Sequence, residues 1–227
     1  YFWLLHYSLA MNFVAAAYHQ AVRILAKTPL KQVAQRARTG QTCVLTFHGL
    51  READDPGLLD PGLHTSEPLF RAICAHLAEN YQVLPLEDII TSLRHQRSLP
   101  AGAMAITFDD GYLSNLKIAA PILEDYGLPA TIFVTSGFAN RTMPLWFHRL
   151  ESALSRTNRP AALVPMKGET ISMPLANPVA RVRALSALQY ELKAMPQEGV
   201  YEAVEQIETA LDVAWSPTEV PEIFQPL

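Results

Sequence analysis

The sequence predicts an α/β fold built on parallel strands, and three observations support this class. Short runs of apolar and β-branched residues recur along the first 140 residues, as expected for strands buried in a parallel sheet. Segments with apolar residues at helical spacing lie between these runs. Strands and helices in alternation favour parallel strands that are joined by right-handed crossovers.

Composition narrows the class of protein. The chain has 227 residues, of which 49% are apolar and 18% are charged, and this composition is typical of a globular, enzyme-sized protein. A formal net charge of −4 argues against a nucleic-acid binder, because such proteins use Lys and Arg to neutralise phosphates. The two cysteines, Cys43 and Cys74, exclude a disulfide scaffold, and their apolar neighbours predict two buried free thiols.

The first strand and the first helix have clear sequence signals. Residues 42–47 form an apolar, β-branched run that ends in His48, and we expect a buried parallel strand there. Ser66 is a suitable N-cap, and Pro68 suits the first turn of the helix that follows, to about residue 80.

The next elements continue the alternation up to Phe138. Apolar runs predict strands, helical spacing predicts helices, and Gly127 is placed to end the last helix. In chain order we expect a short strand at 81–84, a helix at 87–95, a central strand at 103–108, a helix that includes 118–126, and a strand at 130–134.

After Phe138 the pattern changes to mainly helical segments. We expect a helix at 146–154, a proline-punctuated hairpin or loop at 159–176, and two amphipathic helices at 179–194 and 200–213.

The first 40 residues form a separate segment. Residues 1–18 carry no formal charge and are nearly continuously apolar, and basic residues follow them. An apolar run next to a basic helix can lie on a membrane surface, so the segment predicts peripheral membrane association or, alternatively, a helix packed on the domain. The compartment stays open between the cytoplasm and the membrane or cell envelope.

Polar side chains follow several predicted strands. His48, Asp109, Asp110 and Thr135 all come at the carboxyl ends of strands, where the sites of α/β proteins gather. Two adjacent buried carboxylates are costly unless a cation or a proton separates their charges. One of them could ligate a metal ion while the other faces the reacting atom. Alternatively, Asp109 or Asp110 caps the helix that begins near Ser114.

Three strings in this region resemble a known family. They are T-F-D-D-G-Y at 107–112, P-I-L-E-D-Y-G-L-P-A-T-I-F-V at 121–134 and L-T-F-H-G at 45–49. The chain from 42 to 138 is similar to the polysaccharide deacetylases, which form carbohydrate esterase family four and share the NodB homology domain.

The resemblance implies a fold, domains and an activity. The fold would be a partial distorted (β/α) barrel, with a NodB-like part at 41–140 and a helical insertion or C-terminal segment at 141–227. The activity would be hydrolytic removal of acetyl groups from an N- or O-acetylated polysaccharide or glycan with the help of a divalent metal ion, zinc first among candidates.

The resemblance also implies roles for residues. Asp109 would be the general base and Asp110 a metal ligand. His48 could be a second ligand or a hydrogen-bond donor, or it could be a structural residue of the strand end.

One family motif is missing from the sequence. No His-[Ser/Thr]-x-x-His pair occurs; His64 and Thr65 begin the pattern, but Pro68 replaces the second histidine. We therefore expect that the chain is cut before this motif and that the fragment by itself is inactive. The alternative is a catalytically inactive NodB-like protein that binds carbohydrate or acts as a scaffold. Phosphoryl transfer is disfavoured, because its aspartyl nucleophile needs a D-x-D spacing.

Two groups of residues receive structural interpretations. Trp146, Phe147 and His148 could offer a sugar a stacking face, but at a helix start they are expected to pack a core. Four arginines are expected on a solvated face: Arg141, Arg149, Arg156 and Arg159.

Overall fold

The computed structural model describes residues 42–53, 64–166, 169–216 and 221–227. The predicted N-terminal segment, residues 1–40, lies outside the described residues, and so does most of the loop before His64. Within the described ranges, no helix is both long and apolar enough to cross a membrane.

The strands are named in chain order. They are β1 Cys43–Phe47, β2 Gly49–Arg51, β3 His64–Ser66, β4 Gln82–Val83, β5 Ala103–Phe108, β6 Thr131–Ile132, β7 Ala161–Met166 and β8 Glu169–Pro174. The helices are α1 Glu67–Asn80, α2 Leu86–Arg94, α3 Ala120–Asp125, α4 Ser136–Ala139, α5 Trp146–Arg156, α6 Pro178–Lys193 and α7 Gln197–Ala210. A π-helical turn, Asn115–Ala119, precedes α3, and a 3₁₀ turn covers Glu222–Phe224.

The central sheet is organised around β5, whose six residues are all buried. Strand β1 pairs with β5 along its whole length, in parallel. On the opposite edge β4 pairs with the first two residues of β5, and β6 pairs with the last two. All three pairings are parallel, which confirms the predicted α/β class. The described part of this sheet is open rather than a closed barrel.

Helices α1 and α3 cover one face of the sheet and form the first hydrophobic core. Their apolar side chains pack against those of β5 and against Leu50 of the short β2–β3 pair. The members of this core include Leu50, Phe70, Cys74, Leu77, Ile106, Phe108, Ile122 and Leu123. Pro68 stands in the first turn of α1, as the sequence predicts, and Ser66 occupies the N-cap position but its side chain makes no capping hydrogen bond.

Residues from 146 to 211 build a second core of their own. Strands β7 and β8 form an antiparallel hairpin, and the apolar faces of α5, α6 and α7 pack on it. The fully buried members include Leu150, Leu154, Leu188, Val204 and Ile207. The predicted helices and the hairpin option for 159–176 are therefore confirmed.

Three expectations need correction. Cys74 is buried, but Cys43 is exposed, because β1 is an edge strand whose outer face is uncovered among the described residues. The strand predicted at 130–134 is reduced to β6, and Phe133 and Val134 beyond it are exposed. Arg149 is buried instead of solvated, because its guanidinium is bonded to Glu208 of α7.

Candidate active site

The carboxyl ends of β1 and β5 bring His48 and Asp109 to the same edge of the sheet. Phe47 and Phe108 are register partners, and the amide of Asp109 donates a hydrogen bond to the carbonyl oxygen of Phe47 over 2.9 Å. The residues that follow the two strands are therefore held side by side. This position agrees with the general rule that sites of parallel sheets lie beyond the strand carboxyl ends.

A tight turn follows β5 and carries the two aspartates. The Gly111 amide donates to the carbonyl oxygen of Asp109 over 2.9 Å, so the turn closes within three residues. Asp110 and Gly111 both have left-handed backbone angles, with φ of 69° and 81°. An L-residue other than glycine rarely adopts such an angle, although Asp and Asn tolerate it best. A non-glycine residue held at such an angle costs backbone energy, and such residues cluster at functional sites.

The segment that follows β6 supplies the third side of the site. The Thr135 amide donates to the carbonyl oxygen of Asp110 over 3.2 Å, and the Thr135 hydroxyl donates to the Asp110 carboxylate over 3.4 Å. Val134 lies so close to Gly111 that a Cβ atom there would meet its methyl groups at 3.1–3.2 Å. The turn is therefore packed against Val134 and hydrogen-bonded to Thr135, both of which follow β6.

The electrostatic environment of Asp110 opposes its ionisation. Burial raises the pKa of the Asp110 carboxyl above its usual value, and the neighbouring Asp109 raises it further. Contributions from His48, Thr135 and Tyr112 act in the opposite direction and favour the carboxylate. A half-buried carboxyl between a like charge and several donors is an arrangement that is common at functional sites.

Tyr112 continues the site into the interior. Its side chain is fully buried, and its hydroxyl lies 3.1 Å from Nε2 of His148, which is also buried. Burial and, to a smaller extent, the nearby His64 together lower the pKa of His148 to about 3. Around them lies an aromatic cluster of His64, Tyr112, Phe138, His148 and Phe224.

The segment 224–227 forms backbone hydrogen bonds with the turn that follows β5. The Leu113 amide donates to the carbonyl oxygen of Gln225 over 2.8 Å, and the Leu227 amide donates to that of Gly111 over 3.0 Å. The Phe224 ring stacks on His64 with 3.9 Å between ring centres. A cavity of about 260 Å³ opens beside this cluster, lined by Phe138, His148, Trp215 and Phe224 among others.

The described residues do not complete a metal site by themselves. No group of three or more His, Cys, Asp or Glu side chains within the described ranges is arranged to hold a metal ion. Catalytic zinc sites usually use three protein ligands. Asp110 and His48 could therefore supply only part of a ligand set.

The structure gathers the residues that the sequence singles out, and it adds two more. His48, Asp109, Asp110 and Thr135 all lie at one edge, while their chemical roles stay predictions. Tyr112 belongs to the quoted T-F-D-D-G-Y string, but no role follows from the sequence. His148 lies in a segment that the sequence assigns to core packing, and its burial agrees with that interpretation. A contact between residues 36 positions apart has no periodic signal that could reveal it.

Comparison with known proteins identifies the family. The model of the family described as "Polysaccharide deacetylase" matches residues 96–212, just over half of the chain. The chain belongs to the polysaccharide deacetylase family. This membership confirms the resemblance that the motifs indicate, and the family consists of hydrolases that act on carbohydrates.

YxkH of Bacillus subtilis (strain 168), described as a putative polysaccharide deacetylase, is 30% identical to this chain over 92 residues. The match covers 40% of this chain and 30% of YxkH, so the chain spans less than a third of that relative.

Solved structures of lower identity also match. Streptococcus pyogenes deacetylase PplD in complex with acetate is 23% identical, with a TM-score of 0.40 and coverage of 44% of this chain and 45% of that one. IcaB from Ammonifex degensii is 16% identical, with a TM-score of 0.39, and the match covers 82% of this chain and 86% of IcaB.

Proposed function

We propose that the full-length protein hydrolyses acetyl groups from an N- or O-acetylated polysaccharide or glycan. The observation that carries this proposal is the pair Asp109 and Asp110 at the end of the buried strand β5, beside His48. Membership of the polysaccharide deacetylase family supports the same reaction class.

Asp109 is the proposed general base. Its residue is half-buried at the sheet edge, so a water molecule and a substrate can approach its carboxylate. A carboxylate within hydrogen-bonding reach of a water molecule can accept its proton while the oxygen attacks the acetyl carbonyl. The products are acetate and the free amine or hydroxyl of the sugar.

Asp110 has a different proposed role, because the two carboxylates have different surroundings. Its backbone carbonyl accepts a hydrogen bond from the Thr135 amide, and its side chain accepts a bond from the Thr135 hydroxyl. These contacts fix the Asp110 carboxylate, which suits a ligand better than a group that must move a proton.

A divalent metal ion, zinc first, is part of the proposal as a cofactor, with Asp110 and His48 as two of its ligands. Two ligands are fewer than a catalytic zinc site uses, so the site would need further ligands besides these.

A second candidate function follows from the same shortage of ligands. Without a complete ligand set, the domain could bind acetylated carbohydrate, or act as a scaffold, without hydrolysing it. Such a protein would keep the fold and bind the carbohydrate but would release no acetate.

The test measures acetate release by the full-length protein from N-acetylated chitotetraose and from 4-nitrophenyl acetate. We expect release by the wild-type protein and a fall of roughly 10²–10⁴-fold in Asp109→Asn. Asp88→Asn, an exposed carboxylate change in α2, is the matched control and should leave the rate unchanged. No release above the uncatalysed rate, with binding of the oligosaccharide, would favour the second candidate.

A further inference from the structure

The cavity beside the aromatic cluster has no part in the chemistry proposed for the two aspartates. Its volume is about 260 Å³, and its lining includes the buried apolar side chains of Phe138, Leu145 and Phe224. Two other lining residues reach the solvent, because Trp215 is half-buried and Arg141 is exposed. A concave and mainly apolar pocket with a few polar groups is the usual form of a ligand site.

One wall of the cavity is bonded directly to the turn that carries the aspartates. Gln225 and Pro226 belong to this wall. The carbonyl oxygen of Gln225 accepts the Leu113 amide over 2.8 Å, and Pro226 forms a β-bridge with Tyr112. The cavity is therefore adjacent to the candidate active site. A polymer that presents an acetyl group to Asp109 continues beyond that group, and the cavity offers room for its next unit.

A second wall is formed by the loop 141–145, which hydrogen bonds hold in place. The Thr142 amide donates to the carbonyl oxygen of Gly137 over 2.9 Å, and the Tyr201 hydroxyl of α7 donates to the carbonyl oxygen of Pro144 over 2.9 Å. The loop is thus fixed both to α4 and to the second core. Because the wall is already ordered, a ligand that binds there restricts little further motion of the chain.

The chemistry of the lining suits a sugar ring. A pyranose presents C–H groups on its faces, and the electron-rich face of an aromatic ring attracts such groups. Trp215 has the largest aromatic face of the lining. The hydroxyl groups lie around the edge of the sugar ring and need hydrogen-bond partners, and Arg141 has guanidinium N–H groups to donate. A purely apolar ligand such as a lipid chain would make no use of these donors.

We propose that this cavity is a subsite for a sugar unit of the polymer, next to the unit that loses its acetyl group. Trp215 stacks on the face of this sugar, and Arg141 donates hydrogen bonds to its hydroxyl groups. The subsite deepens the proposed function and rests on it, because it takes another part of the same substrate.

The binding test uses the full-length protein with Asp109→Asn, so that the ligand is not consumed. Calorimetric titrations with N-acetylated chitotetraose and with O-acetylated xylotetraose identify the tighter ligand. Trp215→Ala should weaken its binding roughly 10-fold, because the stacking face is lost. Arg141→Met keeps a long side chain without the donors and should weaken binding roughly 3–10-fold. Tyr190→Ala removes an aromatic ring that is 75% exposed on α6, and it is the matched control without effect.

The activity test compares two substrates in proteins that retain Asp109. The tetrasaccharide reaches the subsite, whereas 4-nitrophenyl acetate contains no sugar. In Trp215→Ala the ratio of kcat/KM for the tetrasaccharide to kcat/KM for 4-nitrophenyl acetate should fall roughly 10-fold, mainly through a higher KM. Trp215→Phe keeps an aromatic face and should recover most of this ratio, and Tyr190→Ala should not change it.

The outcomes separate the subsite from the proposed function. An unchanged ratio and unchanged tetrasaccharide binding in Trp215→Ala and Arg141→Met overturn the subsite and leave the hydrolysis intact. No binding of either tetrasaccharide to the Asp109→Asn protein also overturns the subsite. If the wild-type protein releases no acetate but Trp215→Ala weakens tetrasaccharide binding, the cavity is a carbohydrate site and the proposed hydrolysis fails. Where Trp215→Ala lowers the melting temperature, the exposed change Arg141→Met decides.

Discussion

The amide of Asp109 donates to the carbonyl oxygen of Phe47, and this backbone bond continues the pairing of the two strands that carry the candidate site. It extends the β1–β5 ladder by one residue beyond the register pair of Phe47 and Phe108. As a result, His48, which follows β1, lies at the same edge of the sheet as Asp109 and Asp110, which follow β5. The chemistry of the site depends on this alignment, which a slip of one residue would remove.

The first prediction separates the roles of the two aspartates in the full-length protein. Asp110→Asn removes a charged ligand, so both bound metal and acetate release should fall. Asp109→Asn keeps a similar volume but cannot accept a proton, so metal should stay bound while the rate falls by roughly 10²–10⁴-fold. Metal analysis of the purified variants and an acetate assay provide the measurement. Equal loss of metal from both variants would contradict this division of roles.

The second prediction concerns the turn at Gly111. Gly111→Ala places a methyl group at a φ of 81° and against Val134, so it should destabilise the protein by about 2–3 kcal/mol. Gly127→Ala is the matched control, because Gly127 has a φ of 62° but no atom within 4 Å of the added Cβ. It should cost only the backbone part, about 1 kcal/mol. Chemical denaturation measures both free energies of unfolding, and equal costs would show that contact with Val134 is unimportant.

The third prediction concerns the loss of folding stability at acidic pH. The pKa of His148 is lowered from 6.5 to about 3 by burial and by His64, so the folded state keeps the imidazole neutral where the unfolded state protonates it. The unfolded state then binds more protons, and the stability from this group is lost as pH falls from about 6.5 towards 3. The slope should approach about 1.4 kcal/mol per pH unit.

His148→Gln provides the comparison for this effect, because the other titrating groups remain in both proteins. The free energy of unfolding, measured between pH 7 and pH 4, should fall more steeply in the wild-type protein than in the variant. Parallel curves would show that the imidazole is not kept neutral by the fold.

The fourth prediction concerns the two thiols. Burial raises the pKa of Cys74 to about 11, and its side chain is fully buried, whereas Cys43 is exposed on β1. At pH 8 only about one Cys74 thiol in a thousand is ionised, and the thiolate is the reactive form. Cys43 should react with iodoacetamide within minutes, and Cys74 only after unfolding. Peptide mapping by mass spectrometry assigns each site; rapid labelling of Cys74 in the folded protein would contradict the burial.

Sequence patterns predict the strands and helices well where burial is strong. Strand β5 is buried on every residue, and its apolar run has the predicted bounds. The run at 130–134 is equally apolar, but it pairs only at Thr131 and Ile132, because strand pairing depends on a neighbour that the local sequence does not contain. Cys43 shows the same limit: an apolar run predicts a strand, but not whether the strand lies at an edge.

The sequence by itself determines the family, the α/β class and the identity of the two adjacent aspartates, because these depend on residues that are close together along the chain. The tertiary structure decides which distant groups surround those aspartates. Tyr112 and His148 are 36 positions apart along the chain, and the ring of Phe224 stacks on His64, 160 positions before it. Such contacts arise from the packing of separate helices and strands around a shared core, and packing depends on shape and volume in three dimensions rather than on any local spacing of residue types.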